Sequence, residues 1–340
     1  MISHHVRRRT PWLSVLIAPM LIVTAMALAL WASPTVAATD WAQADVDLYV
    51  GDFNGDNKDD MLYVARSPDR ASGIALSSQG GDGLWRPAAG HQSWASGYLG
   101  IPWFGNYYRP VIGDFNGDGK DDILMQRRTP GDHFLLLANS AGKFTSIAQT
   151  IPETNLGLAW SESAHRMVAG DFDGDGRTDL FLQGVERNST HAIFQPATTG
   201  LFTQSAVQSF QDGYMGLAWS GRRAVVVAGR LAGNDARADL FVQARPDIVT
   251  VPYDPPVSVP RYRPNSFAVV QARALSGGAL FYAPAAQLFS RNHLGLDWSP
   301  LTNRASIADF NGDGIDDIFL QSTGIGRSNA LASSNAQGQV

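Results

Sequence analysis

One acidic, glycine-rich motif recurs five times in this chain, and each copy follows a tryptophan at a fixed distance. The second copy runs Gly113-Asp114-Phe115-Asn116-Gly117-Asp118-Gly119-Lys120-Asp121-Asp122, and the third Gly170-Asp171-Phe172-Asp173-Gly174-Asp175-Gly176-Arg177-Thr178-Asp179. The first starts at Asp52 and the fifth at Asp309, while a degenerate fourth starts at Arg230. Trp41, Trp103, Trp160, Trp219 and Trp298 each stand eleven residues before these starting points. Successive tryptophans are 62, 57, 59 and 79 residues apart. A period of this size marks stacked supersecondary units.

Each copy continues into a short β-type run: Met61–Val64, Ile123–Gln126, Leu180–Gln183, Leu240–Gln243 and Ile318–Gln321. A second run follows, then a Gly-marked hairpin such as Ala141-Gly142-Lys143-Phe144, then a last strand before the next tryptophan. Four short strands with turns between them make one antiparallel sheet, and sheets of this size bury both faces by stacking around an axis. The expected fold is all-β: a propeller of five four-stranded blades, with repeats at about 41–102, 103–159, 160–218, 219–297 and 298–340. The last repeat stops where its final strand should begin, so the fifth blade is expected to be incomplete. The longest spacing holds an insertion, Pro246 to Pro264, with six prolines in nineteen residues. Prolines withhold ladder donors, so it reads as an extended surface loop between the second and third strands of blade four.

Numbered from the first aspartate, the motif places side-chain oxygens at positions 1, 3, 5 and 9 and a main-chain carbonyl at position 7. The ligand sets are Asp52, Asn54, Asp56, Lys58 and Asp60 in the first copy, and Asp114, Asn116, Asp118, Lys120 and Asp122 in the second. The third supplies Asp171, Asp173, Asp175, Arg177 and Asp179, and the fifth Asp309, Asn311, Asp313, Ile315 and Asp317. Hard oxygen donors without His or Cys select Ca²⁺, and a glycine at position 6 (Gly119, Gly176, Gly314) permits the sharp turn such a cage needs. The first copy has Asn57 there. About four ions are expected, with none in the fourth repeat, where Arg230 and Ala232 replace ligands. Arg230 is expected to pair with Asp235 or Asp239 in place of the metal. An isolated copy of this motif would also be ordinary hairpin material. An EF-hand is excluded because position 12 is Tyr63, Met125, Leu182 or Leu320 rather than Glu.

The loops resemble the FG-GAP/VCBS repeat, the calcium-loaded blade of integrin α-type propellers and of many bacterial surface and secreted proteins. The likeness spans about 41–340. The tryptophan strings and Gln-ended strands also resemble propeller regions of bacterial Rhs/YD-repeat toxin-like proteins. The FG-GAP resemblance implies closure with seven blades, so five repeats either close imperfectly or form part of a longer chain.

The first 38 residues read as a signal peptide. Arg7, Arg8 and Arg9 precede an apolar run, Trp12 to Trp31, and Val36-Ala37-Ala38 offers a small-residue cleavage site. An uncleaved anchor is the alternative, and no later segment is apolar enough to span a membrane. Export to the periplasm, cell surface or medium follows from the leader, and the absence of cysteine leaves the core and metal to hold the fold. The mature part carries a net charge near −8, which disfavours nucleic acid as a partner and which four calcium ions would about cancel. No nucleophile–base pair or phosphate loop stands out among His91, His133, His165, His191 and His293, so no catalytic role is expected. The recurrent tryptophans either pack between blades or stack on sugars. Arg109, Arg166 and Arg304 form an anion-binding ring or pair with carboxylates. The expected function is a binding or adhesion module for a glycan or protein. The alternative is a structural segment of a larger secreted toxin-like or surface protein.

Overall fold

The aspartate at position 9 opens the second strand of every blade, and the residue before position 1 closes the first. A computed structural model describes residues 46–77, 92–232, 235–251, 257–261, 267–273, 281–324, 327–335, 337 and 339–340. The expected leader, Trp41 and His91 lie outside these residues. Blade one pairs Val46–Gly51 with Asp60–Ala65, so that Gly51 faces Asp60, and continues through Ser72–Ala75 to Gln92–Trp94. Blade two is Tyr108–Gly113, Asp122–Arg127, His133–Leu136 and Gln149–Ile151; blade three is His165–Gly170, Asp179–Gly184, His191–Phe194 and Gln208–Phe210. Blade four is Ala224–Gly229, Asp239–Ala244, Phe267–Ala272 and Phe281–Phe289. All four are antiparallel sheets in strand order 1-2-3-4. Blade five has three strands, Asn303–Ala308, Asp317–Ser322 and Ala330–Ala332.

The expected second strands are therefore present, each about a residue longer at both ends. The proline-rich insertion departs from expectation. Asp247–Val251 and Val257–Arg261 form an antiparallel hairpin, with Pro260 opposite Ile248. A two-stranded ribbon has an open edge on both strands, and there a proline's missing N–H costs no ladder bond.

Each sheet has apolar residues on both faces, and the core divides into four clusters, one between each pair of consecutive blades. Position 2 anchors these joints. Phe53 meets Phe144 of the next blade edge-on at 5.8 Å, and Phe115 meets Phe202 at 5.6 Å. Phe53, Phe115, Phe172 and Leu231 are fully buried, each contributing roughly 2–3 kcal/mol of transfer free energy. Among the described residues no helix is long and apolar enough to cross a membrane; helical structure is limited to three single turns.

Candidate metal centres

The motif loops wind on their own side chains. Asp114 accepts from the backbone N–H of Gly117 and Asp118 on Oδ1 (2.7 and 3.2 Å) and of Gly119 on Oδ2 (2.8 Å). Asp171 does the same with Gly174, Asp175 and Gly176, and Asp52 with Gly55, Asp56 and Asn57. Asp309 accepts from Gly312 and Gly314. Position 3 caps position 5: Asn54, Asn116, Asp173 and Asn311 each accept the N–H two residues on, at 2.8–3.0 Å. These Asx turns draw the alternating oxygens toward one centre. The backbone is left-handed at position 6, with φ of 79° at Gly119 and 60° at Asn57, so the asparagine in loop one adopts the conformation that glycine supplies elsewhere.

In loop three, one oxygen each from Asp171, Asp173 and Asp179 lies within 4.8 Å of the others. Three oxygens on a sphere of calcium–oxygen radius fall within that span, and the donor set is all hard oxygen, so the residues fit Ca²⁺. Burial raises the Asp173 carboxyl above its ordinary range and pushes Asp179 up to about 8 and Asp122 up to about 7. A cation would favour their ionised forms. Position 7 carries a second device. Lys120 Nζ lies 2.7 Å from Asp118, Lys58 lies 3.5 Å from Asp56, and Arg177 pairs with Asp175. These are solvent-facing pairs of small worth and leave the other ligand oxygens uncommitted to a cation.

Position 9 has a duty that the sequence reading missed. Asp60 accepts from Phe53 N and Ser77 N (3.1 and 2.7 Å), and Asp122 from Phe115 N and Ala138 N (3.0 and 2.8 Å). This carboxylate staples the loop's start to the end of the third strand. Asp239 does so in the fourth repeat, accepting from Ala232 N and Ala272 N (2.8 and 2.9 Å). Its retention where positions 1 and 3 have lost their oxygens was the available signal.

The fourth loop corrects one expectation. Arg230 pairs with neither Asp235 nor Asp239; its Nη2 donates to Gly314 O in the fifth loop, and its N–H donates to Asp316 Oδ2 at 2.7 Å. The cation on Asp235 is Arg237, at 2.9 Å. The loops are also chained to one another. The N–H of position 8 donates to the position-1 carbonyl of the preceding loop: Asp121 to Asp52 (2.7 Å), Thr178 to Asp114 (2.7 Å), Ala238 to Asp171 (2.6 Å) and Asp316 to Arg230 (2.8 Å).

The other recurrent residues build the scaffold. Trp103, Trp160, Trp219 and Trp298 are at most 1% exposed, so they pack between blades and offer no face to a sugar. Each indole N–H donates to the carbonyl five residues earlier, across a turn whose next residue is left-handed: Leu99, Leu156, Met215 or Leu294. Gln126, Gln183 and Gln243 are buried and donate to the main-chain carbonyls of Trp160, Trp219 and Trp298 in the next blade. Arg109 and Arg166 each donate from Nη1 to a main-chain carbonyl of the next blade, Met167 and Gly221; Arg304 is exposed. His133 and His191 are buried and accept on Nδ1 from Arg127 N and Gly184 N.

The turns between third and fourth strands cover the preceding blade's acidic loop; a Cβ on Gly142 would lie 2.9 Å from Asn54 Cβ. The opposite end carries a cleft of about 290 Å³ where the crossing from blade four meets blade five, lined by Asp297, Asn303, Arg327 and Asn329 and by the apolar Leu296 and Leu320. In blade two, Tyr108 and Phe134 occupy the places that Asn303 and Ala330 take here. The smaller side chains leave the room. Arg291, bidentate to Asp297, holds that carboxyl down to about 2.

Fold and loops together define a repeat β-propeller with acidic loops. The FG-GAP-like repeat matches residues 52–125 and 114–182, and the chain is an FG-GAP repeat propeller. No curated protein matches its sequence. Among solved structures, an Agrocybe aegerita lectin specific for non-reducing terminal N-acetylglucosamine is similar at 14% identity and a TM-score of 0.48, over 85% of this chain and 80% of that one. The Tc holotoxin pore of Photorhabdus luminescens is similar at 16% identity and a TM-score of 0.37, over 84% of this chain and 13% of that one.

Proposed function

We propose that this propeller is an exported, non-catalytic, calcium-binding module that recognises a glycan or a protein. The observation that carries the calcium reading is loop three, where oxygens of Asp171, Asp173 and Asp179 gather within 4.8 Å, together with three further loops wound on the same side chain to main chain bonds. Loops one, two, three and five hold the ions, and the fourth holds its own arginine. The non-catalytic reading is supported by the histidines: His133, His165, His191 and His293 are each bonded to the main chain. The cleft between blades four and five offers hydrogen-bonding groups of both kinds to a polar ligand.

Melting the protein in calcium and in chelator, with metal content measured by elemental analysis, tests the first part. A large calcium-dependent rise and about four ions per chain are expected; no ion and no shift would refute it. For the second part, Asn303→Tyr restores the side chain that blade two carries. Capture of glycans or proteins should fall while the calcium-dependent melt stays unchanged.

A further inference from the structure

Blades one, two and four each carry an arginine just past the end of the second strand: Arg66, Arg128 and Arg245. The main chain sets the last two alike, Arg128 N–H donating to Tyr107 O (2.9 Å) and Arg245 N–H to Arg223 O (2.6 Å). Their guanidinium groups meet different company. Arg66 donates from Nε and Nη2 to Asp47 Oδ1 at 3.0 and 2.6 Å. Arg128 donates from Nε to Gly105 O, in the crossing that leads into its own blade, and from Nη1 to Glu162, in the crossing that leads to the next.

Gly105, Glu162, Gly221 and Pro300 hold one place in successive crossings, two residues after the tryptophan. In the first three, the N–H donates to the residue that ends the preceding blade's second strand: Ala65, Arg127 or Gly184. Pro300 has no hydrogen to give. A Cβ on Gly105 would run into the Asp47 carboxylate, so the first two crossings each set an acid beside these arginines. Arg245 has neither acid. Pro300 stands where Glu162 does, and at Gly221, where the first crossing has Asp47, the side chain is Arg166. A Cβ on Gly221 would lie 3.5 Å from Arg166 Cδ and Nε. Arg166 Nη1 also donates to Gly221 O at 3.1 Å, taking the carbonyl equivalent to the one that Arg128 Nε uses. Arg245 Nε is buried and has no partner among the described residues.

Burial and then the neighbouring Arg245 charge hold Arg166 below the ordinary arginine range, with Glu162 pulling the other way. Glu162 is itself held by Arg128, while Asp212 and Glu186 pair with Arg223 and Arg222. Two like charges within range of each other and partly out of water destabilise a site unless an anion joins them. We propose that Arg166 and Arg245 bind a carboxylate of a ligand, which takes the place on Arg245 that Glu162 takes on Arg128. Arg245 supplies the Nε–H and Nη–H fork that Arg66 turns on Asp47, and Arg166 supplies the N–H groups that Gly221 O leaves free. The site shares no residue with the cleft between blades four and five.

Carboxylates occur on acidic sugars and on acidic side chains, and two probes separate these sources: glucuronate and N-acetylglutamate, with glucose and N-acetylglutamine as neutral counterparts. In the ¹⁵N-labelled protein in calcium, the Arg245 Nε–Hε resonance is identified by its loss in Arg245→Lys. It should shift saturably with at least one acid and with neither neutral molecule. A response to glucuronate alone assigns an acidic glycan, to N-acetylglutamate alone an acidic protein segment, and to both the carboxylate itself. Arg166→Gln should weaken binding about tenfold or more. Pro300→Glu should abolish it by returning the missing carboxylate. A cooperative melt shows that each variant folds. No shift, equal shifts with the neutral molecules, or a Pro300→Glu variant that binds as the wild type does would overturn the proposal.

Discussion

At the scale of single residues, the aspartate at position 9 separates two roles that look identical in the motif. Asp122 and Asp179 stand among the candidate ligands, whereas Asp239 performs the backbone staple in a loop without oxygen side chains at positions 1 and 3. Asp239→Asn leaves one of the two N–H donors facing an amide N–H₂. Unfolding free energy is expected to fall by about 1–3 kcal/mol, with the calcium content unchanged. The same change at Asp179 should remove one ion from the elemental count. Burial, the largest cause, lowers His133 and His191 to about 4, although Glu153 and Asp132 beside the first and Asp212 beside the second pull upward, and Arg127 and His165 add to the lowering. A folded pKa below the unfolded value of about 6.5 means that the unfolded chain takes up the proton first, so their stabilisation is lost as pH falls from about 6.5 to about 4. His191→Asn keeps an acceptor for Gly184 N–H and removes the titration. Urea melts across this range should show the wild type losing up to about 3 kcal/mol relative to that variant.

At the scale of the blade, the strands and their order were legible because the short apolar β-type runs and the turn glycines are local properties. The motif's last aspartate and its preceding glycine gave the ends of the paired strands to within a residue. Joint chemistry was not legible, since it depends on atoms about sixty residues apart that meet only after stacking. Gly113 illustrates this: its φ is unremarkable, and what demands glycine is Thr178 of the next blade, whose Cγ2 lies 2.5 Å from where a Cβ would be. Gly113→Ala is expected to cost about 1–3 kcal/mol by overpacking. Thr178→Ala in the same chain should recover part of it, a coupling that a double-mutant cycle measures. The tryptophans carry the same lesson. Their spacing announced the repeat, but only the enclosed indoles and their N–H bonds to the i−5 carbonyl distinguish a blade clamp from a sugar platform.

At the scale of the whole molecule, the loops form one chain of contacts rather than four separate sites. From the second loop on, each position-8 N–H ties a loop to the one before it, and Arg230 bridges the degenerate fourth loop to the fifth. Chelation should therefore lower the melting temperature as one cooperative transition, and not as a series of steps; differential scanning calorimetry distinguishes the two. The sequence by itself determined the number of repeats, the all-β class, the approximate places of the second strands and the four sets of candidate oxygen donors, because period, turn chemistry and donor spacing are written along the backbone. The tertiary structure decided what each residue does across a joint: which carboxylate staples, which loop Arg230 reaches, and where smaller side chains open a cleft. Those outcomes depend on which side chains come within a few ångströms once the sheets have stacked, and separation along the chain does not encode that distance.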